Sequence, residues 1–409
     1  MNGNISVICC TSTLAVGVNL PCHMVIIKHT VSYQNNGGPG GCKEYSDLEM
    51  MQMLGRAGRP QFDKSAVAVI LTRIQKQQHY EKMVSGQEVL ESCLHRNLID
   101  HFNAEIGLGT ITSASTAKKW LCGTFLYVRL RANPEHYKIK GQTFGGDLDE
   151  RLETICNEAV TLLEKHKLIK SQPELQCTEF GDAMARYYLQ FKTMKSLLGL
   201  PRGSKTSEIL SCLAQAGEFS DIRFRSGEKL AYKTLNQDNA IKFPIPVSLD
   251  APAHKVSLVI QSVLGEIEFP AADGTQRANY LSAKSLIFQN VQRLIRCIID
   301  CHLCLKDAIT ARNALSLARS LSAQVWDDSP LTMKQLEGIG VASVRKLVAA
   351  GVKTIDGIAN TEEHKLEAIH SRNPPFGHQL QKKAKAFPKL RISLKMAKEP
   401  VSCHPLSVR

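Results

Sequence analysis

Arg56 and Arg59 stand three residues apart in the run Gln52-Met53-Leu54-Gly55-Arg56-Ala57-Gly58-Arg59-Pro60. A planar guanidinium suits bidentate contact with phosphate oxygens. An arginine so placed can stabilise the charge that develops as a γ-phosphoryl group is lost, a contribution of ~10³–10⁵ in rate. The plainer alternative for such a pair is a surface helix with two solvated arginines. Ser46-Asp47-Leu48-Glu49 upstream reads as a capping box, so a helix is expected from Ser46, with both arginines projecting from its last turn. The flanking Gly55 and Gly58 let the backbone leave the helix and approach a neighbour. Around this helix lie three short apolar runs, Ser6–Cys10, Met24–Lys28 and Ala66–Leu71. Their length and β-branching predict buried parallel strands of an α/β sheet.

A second stretch gives the arginines a context. Thr11-Ser12-Thr13-Leu14-Ala15-Val16-Gly17-Val18-Asn19-Leu20-Pro21 and the run from Gln52 to Pro60 together resemble motifs V and VI of superfamily-two helicases of the Ski type. The resemblance continues through Asn103-Ala104-Glu105-Ile106, Gly109-Thr110-Ile111, Thr124-Phe125-Leu126-Tyr127 and Arg372-Asn373-Pro374-Pro375. Within that branch the chain is similar to the C-terminal part of the meiotic crossover-promoting DNA helicases. The resemblance implies 3′-to-5′ ATP-dependent helicase activity on recombination intermediates in the nucleus. It implies that Arg56 and Arg59 sense the γ-phosphate of ATP with Mg2+, and that Gly17 and Gln52 lie beside the nucleotide. It implies that Thr11 touches the backbone of a single-stranded or branched DNA. Two rival readings are an RNA helicase of the spliceosomal or coactivator type, and a truncated isoform that binds nucleic acid without catalysis.

Composition sets bounds. The 409 residues allow two to four domains, and 43% hydrophobic content allows several cores. A net charge of +13 suits a polyanionic partner. Thirteen scattered cysteines, with no charged–apolar–small leader, read as reduced core thiols. No window approaches the ~20 uncharged apolar residues of a membrane span.

The expected architecture is mixed. Residues 1–74 are the C-terminal part of a RecA-like lobe, and between its motifs Tyr33 precedes the Gly-rich run Gln34–Cys42. In related repair helicases this position carries a strand-separating β-hairpin, with Tyr33 a candidate stacking residue; a Gly-rich loop is the alternative. Residues 75–195 hold helical patterns at Glu88–Leu94, Leu98–Phe102, Thr116–Leu121 and Arg151–His166, and the resemblance makes them a winged helix. Residues 196–330 read as almost wholly helical, and the resemblance makes them a helical ratchet bundle of the Sec type. Its informative helix runs from about Ala283 to Leu305, with Val291, Leu294, Ile295, Ile298 and Ile299 as the buried stripe. Gln289, Arg293, Arg296 and Asp300 form a separate polar stripe, and the resemblance makes Arg293 and Arg296 candidate contacts to a single strand; a solvated face is the alternative. A second helix, Ala308–Trp326, follows.

Residues 331–387 contain Leu336-Glu337-Gly338-Ile339-Gly340-Val341, which resembles a helix–hairpin–helix. Gly338 and Gly340 would let backbone N–H groups approach a phosphate, with Arg345 adding charge. Residues 388–409 read as the truncated start of an immunoglobulin-like domain and a basic tail. Cys297, Cys301, Cys304 and His302 lie within one helix without a second Cys pair, so they read as packing thiols and no metal is expected.

A phosphate-cradling loop and an acidic magnesium motif are missing. The nearest match, Gly199-Leu200-Pro201-Arg202-Gly203-Ser204-Lys205-Thr206, has serine before the lysine and follows a helical run rather than a strand. The chain by itself is expected to hold half an ATP site. It should release no phosphate from ATP above background, and turnover unaffected by Arg59→Ala would count against this reading.

Overall fold

The computed structural model describes residues 6–13, 22–33, 42–58, 63–86, 90–137, 148–389 and 393. The chain divides into two compact units, residues 1–322 and 323–409. In the first, β1 (Met24–Ile27) pairs in parallel with β4 (Val67–Ile70), Met24 opposite Val67 and Ile27 opposite Ile70. Ser6–Cys10 joins no sheet among the described residues, and Val7 is 79% exposed. The expected sheet buried on both faces is therefore covered on one. Side chains alternate along a strand. Ile27 is buried with Met50, Tyr80 and Met83 from α1 (Asp47–Leu54) and α2 (Gln77–Val84). Met24, Ile26 and Val67 lie exposed.

Between the paired strands, β2 (Val31–Tyr33) and β3 (Cys42–Glu44) form an antiparallel hairpin with Tyr33 opposite Cys42. Tyr80 donates its hydroxyl to Glu44 Oε2 at 2.8 Å, which ties the hairpin base to α2.

The next part is built from α3 (Leu98–Gly107), α4 (Ala114–Cys122), α5 (Phe125–Ala132), α6 (Leu148–Lys165) and α7 (Glu179–Arg186). Helices α3, α4 and α6 pack together over Phe102, Ile106, Leu121, Leu152 and Leu163. The antiparallel pair β5 (Ile169–Lys170) and β6 (Gln176–Cys177) lies between α6 and α7. Asn103 is fully buried and donates Nδ2 to Gly181 O at 2.9 Å, joining α3 to α7. Gly181 tolerates no side chain, since a Cβ there would lie 2.2 Å from Leu168 O. Trp120 is half-buried and meets Phe102 edge-on at 5.4 Å.

The expected helix at Glu88–Leu94 is not formed over its described part. Residues 90–93 are irregular, and a 3-10 turn follows at Leu94–Asn97. Glu91 in this stretch is engaged at distance: its carboxylate collects Arg129 Nη2 at 2.8 Å, Asn133 Nδ2 at 2.8 Å and the Tyr137 hydroxyl at 2.6 Å.

The helical bundle comprises α8 (Phe191–Leu198), α9 (Thr206–Ala214), α10 (Glu228–Asn236), α11 (Pro252–Leu264), α12 (Gly274–Cys304) and α13 (Ala308–Ala323). Its spine is α12, 31 residues long, packed on α7, α9 and α11. The periodicity predicted a start near Ala283, but Asp273 caps the helix earlier by accepting from Gln276 N at 2.7 Å. The expected stripe is buried: Val291, Leu294, Ile295 and Ile298 are fully covered. Beside it Lys255 and Glu228 form a buried ion pair at 2.5 Å.

The second unit holds a 3-10 turn (Pro330–Gln335), α14 (Val341–Ala349), α15 (Ile355–Asn360), α16 (Glu363–His370) and α17 (Phe376–Lys385). Met333, Leu336, Val344, Leu347, Ile358, Leu366 and Leu380 form its core. The expected start of an immunoglobulin-like domain and basic tail at residues 388–409 falls largely outside the described residues.

Glu91 gives this fold a pH signature. Its carboxyl is held down to about 2, first by Arg129 and then by the Tyr137 hydroxyl, from an ordinary 4.5. A carboxyl with a lowered folded value stabilises the fold above its unfolded value, and that support is lost as pH falls through the folded one. Glu91→Gln should therefore unfold at lower temperature than the parent chain at neutral pH, with the gap closing between pH 4.5 and about 2. A gap independent of pH would refute the assignment.

Candidate nucleotide and nucleic-acid sites

The capping box forms as its residues require: Ser46 N donates to Glu49 Oε2 at 2.8 Å, and Glu49 N to Ser46 Oγ at 3.3 Å. The helix it starts ends at Leu54 with Gly55 as its cap. Arg56 is thus not in the last turn, as its sequence predicted, but in the strap that follows. Cys22 N donates to Arg56 O at 2.9 Å and Gly58 N to Cys22 O at 2.7 Å, which fastens the strap to the entry of β1. Backbone pairing with a strand, rather than helical bonding, therefore sets where Arg56 stands. Gly58 has φ +101° with Ala66 Cβ near, whereas Gly55 is ordinary right-handed backbone. Gln52 is exposed one turn before the strap. Gly17 and Arg59 lie outside the described residues. Thr11 is exposed, its hydroxyl 2.7 Å from that of Thr13.

The nearest phosphate-loop match is occupied by the fold. Gly203 N donates to Asp307 Oδ2 at 3.1 Å and Ser204 N to Thr310 Oγ1 at 2.9 Å. Lys205 N donates to Glu208 Oε2 at 2.7 Å. The Thr310 hydroxyl, foremost, keeps the Asp307 carboxyl well below the usual carboxylate range. These N–H groups bind protein oxygens and offer no cradle for a nucleotide. The residues that the resemblance would place at ATP lie on α1 and its strap, not at this loop.

The polar stripe on α12 divides. Arg293 is half-buried and spends its guanidinium on protein. Nη1 donates to Tyr187 O at 3.2 Å and also to Tyr188 O, while Nη2 donates to Asn290 Oδ1 at 2.7 Å. Asp300, two turns on, accepts from the Tyr187 hydroxyl at 2.8 Å and faces Arg186 Nη1 at 3.4 Å. Burial, then Asp300, pushes the Tyr187 hydroxyl up, so it stays protonated and donates. These contacts seal the C-terminal end of α7 against α12. Arg296 is exposed and makes no hydrogen bond or ion pair among the described residues. Arg293, expected as a strand contact, is thus a clamp, while Arg296 keeps its donors available.

Cys297 and Cys301 are buried one turn apart, 3.9 Å between sulfurs, with Cys304 exposed. In the second unit Gly338 has φ +88° and Gly340 heads α14, whose N-terminus no side chain caps. Gly338, Gly340 and Arg345 are exposed. The segment before them is a 3-10 turn of six residues rather than a full helix.

Sequence reading passed over Arg186, Tyr187 and Tyr188. The signal available was an aromatic doublet directly after a helix.

Two family models match the chain. The Winged Helix-turn-helix domain matches residues 91–172, and the Sec63 Brl domain matches residues 177–409. The boundary between them falls within the β5–β6 hairpin. The chain is 36% identical to ATP-dependent DNA helicase MER3 of Saccharomyces cerevisiae, over 96% of its own length and 34% of that protein. It is 37% identical to the probable ATP-dependent DNA helicase HFM1 of Xenopus tropicalis, over 95% of its length and 29% of that protein. It is 32% identical to an ATP-dependent RNA helicase, DExH13, of Arabidopsis thaliana, over 99% of its length and 18% of that protein. The chain thus spans about a third or less of the curated relatives it matches.

The clamp separates two arginines experimentally. Arg293→Ala leaves two carbonyls at a helix end without their charged donor, a loss of about 1.5–3 kcal/mol. It should lower the unfolding midpoint by several degrees in calorimetry. Arg296→Ala should leave it unchanged. Equal midpoints for the two variants would remove the clamp.

Proposed function

The chain belongs to the Sec63 Brl family, and from that membership we propose that it is the strand-guiding C-terminal portion of a 3′-to-5′ ATP-dependent DNA helicase acting on meiotic recombination intermediates. The DNA helicases MER3 and HFM1, 36% and 37% identical against 32% for the RNA helicase DExH13, support DNA over RNA. One observation carries the strand-guiding role. The long helix α12 is buried on one side, fixed to α7 through Arg293 and Asp300, and bears Gln289 and Arg296 exposed. A guide for a moving strand must be rigid where it meets protein and charged where it meets phosphate.

In this reading residues 1–74 are the C-terminal part of a RecA-like lobe, 75–195 the winged helix and 196–330 the ratchet bundle. Residues 331–387 form the helix–hairpin–helix, and 388–409 open an immunoglobulin-like domain and basic tail. Arg56 and Arg59 face the γ-phosphate, with Gln52 and Gly17 beside it. ATP with Mg2+, bound jointly with a further lobe, would supply the hydrolysis that drives movement. Thr11, Arg296, Gly338, Gly340 and Arg345 contact the strand, and Tyr33 stands at the tip side of a separating hairpin. The site of action is the nucleus. Among the described residues no helix is long and apolar enough to cross a membrane.

Salt dependence tests the reading. Binding through phosphates releases counterions, so log K for single-stranded DNA should fall linearly with log salt, at ~0.7 per phosphate neutralised. Arg296→Ala should flatten that slope by roughly 0.7. Truncation after Pro388 removes Lys389, Arg391, Lys395, Lys398 and Arg409 but leaves α12 intact. If truncation abolishes binding while Arg296→Ala binds like the parent chain, the tail is the binder and the guide assignment falls.

A further inference from the structure

Helix α7 ends in a way that glycine usually serves. Leu189 N donates to Met184 O at 3.0 Å and Tyr188 N to Ala185 O at 3.2 Å, the two bonds of a Schellman cap. The residue between helix and exit must then be left-handed, and Tyr188 holds φ +51°. Six non-glycine residues among those described have positive φ; the other five are Lys167, Glu266, Lys306, Gln324 and Ser371, so Tyr188 alone is aromatic. A bulky residue in this conformation costs stability that glycine would not. An aromatic side chain kept there should gain something from burial, yet Tyr188 is 85% exposed. Its neighbours differ: Leu189 is buried, and Tyr187 is half-buried with its hydroxyl on Asp300.

The backbone that carries the exposed ring is also held. Arg293 grips the carbonyl of Tyr188 from α12, so the backbone beneath the ring is fixed. Arg186, with a side chain 65% exposed, lies two residues before it. Arg296 lies one turn beyond the clamp on α12, exposed and unpaired among the described residues. The Asp300 carboxylate nearby is engaged by Tyr187 and Arg186. An exposed aromatic ring on a fixed backbone, with Arg186 on its own segment and Arg296 on the helix that clamps it, matches one chemistry closely: a flat apolar face whose own flanks are anionic. An unpaired nucleobase with its adjoining phosphates is that object. Bases within a duplex have their faces covered by neighbours and cannot offer them.

We propose that Tyr188 is a stacking platform for one base of single-stranded DNA, with Arg186 and Arg296 taking the adjoining phosphates. The proposal rests on α12 being the strand guide and adds to that guide a contact contributed by the end of α7. Stacking on an aromatic side chain is sequence-tolerant, because every base has a π-face. It therefore suits a contact made and released as a strand passes.

The test uses the full chain and a fluorescently labelled oligodeoxythymidylate read by anisotropy. Tyr188→Gly should bind roughly 5- to 150-fold more weakly, the range for loss of one stacked base. Its salt slope should match that of the parent chain. Its unfolding midpoint should not fall, because glycine relieves the left-handed backbone. Tyr188→Phe should bind like the parent chain. On an oligonucleotide of abasic sites, the parent chain and Tyr188→Gly should bind alike. The proposal is overturned if Tyr188→Gly keeps full affinity for the base-bearing strand, or loses as much on the abasic one. If the parent chain itself fails to bind single-stranded DNA, it is the strand-guiding reading that fails, and the two failures are thereby told apart.

Discussion

The last carbonyls of a helix have no partners within it, and burying them unmet is expensive. At the end of α7 this constraint is met from another helix. Arg293 of α12 donates to the carbonyls of Tyr187 and Tyr188, more than 100 residues earlier in the chain. The same few contacts tie α12 to α7 and fix the backbone beneath the exposed ring at Tyr188. Asp300 reinforces the joint through the Tyr187 hydroxyl. A charge-assisted donor shared by two carbonyls resists sliding better than apolar packing alone, which is non-directional. The joint therefore behaves as a fixed corner between α7 and the bundle helix α12.

Much of the local structure was legible. Ser46 and Glu49 announced their capping box, and the apolar stripe from Val291 to Ile299 announced which side of α12 is buried. Both signals are short-range: a helix end needs acceptors within a turn, and a stripe needs only periodicity. The hairpin before and after the glycine-rich run is what the resemblance implies, its composition leaving a loop open as well; residues 34–41 lie outside the described part.

What escaped the sequence depends on distance. The start of α12 was missed because residues 274–282 carry little apolar periodicity; Asp273 as a cap was the cue. The strands β5 and β6 are two residues each, too short for alternation to register. Glu91 lay in an amphipathic pattern and was read as helical, yet Arg129, Asn133 and Tyr137 draw it into an interior network. Arg293 reads as a strand contact because the partners that tie it to α7 are backbone oxygens, which leave no trace in residue type. Likewise the match at Gly199–Thr206 could be weighed by pattern alone, but Asp307 and Thr310 show where its amides go.

The half-covered sheet has a consequence for handling the protein. Strands β1 and β4 leave Met24, Ile26 and Val67 bare on one face, and among the described residues neither strand has a second neighbour. Bare apolar surface beside unpaired strand edges is a template for attachment to another molecule of the same kind. Such attachment grows with protein concentration and with the salts that strengthen apolar association. Phosphate contacts weaken as salt rises. Raising the salt of a solution of this chain therefore moves two equilibria in opposite directions, releasing a polyanion while drawing molecules together. Titrations in which the protein is the varied component would then bend for reasons unrelated to the strand, and the bend would be largest where strand binding is weakest.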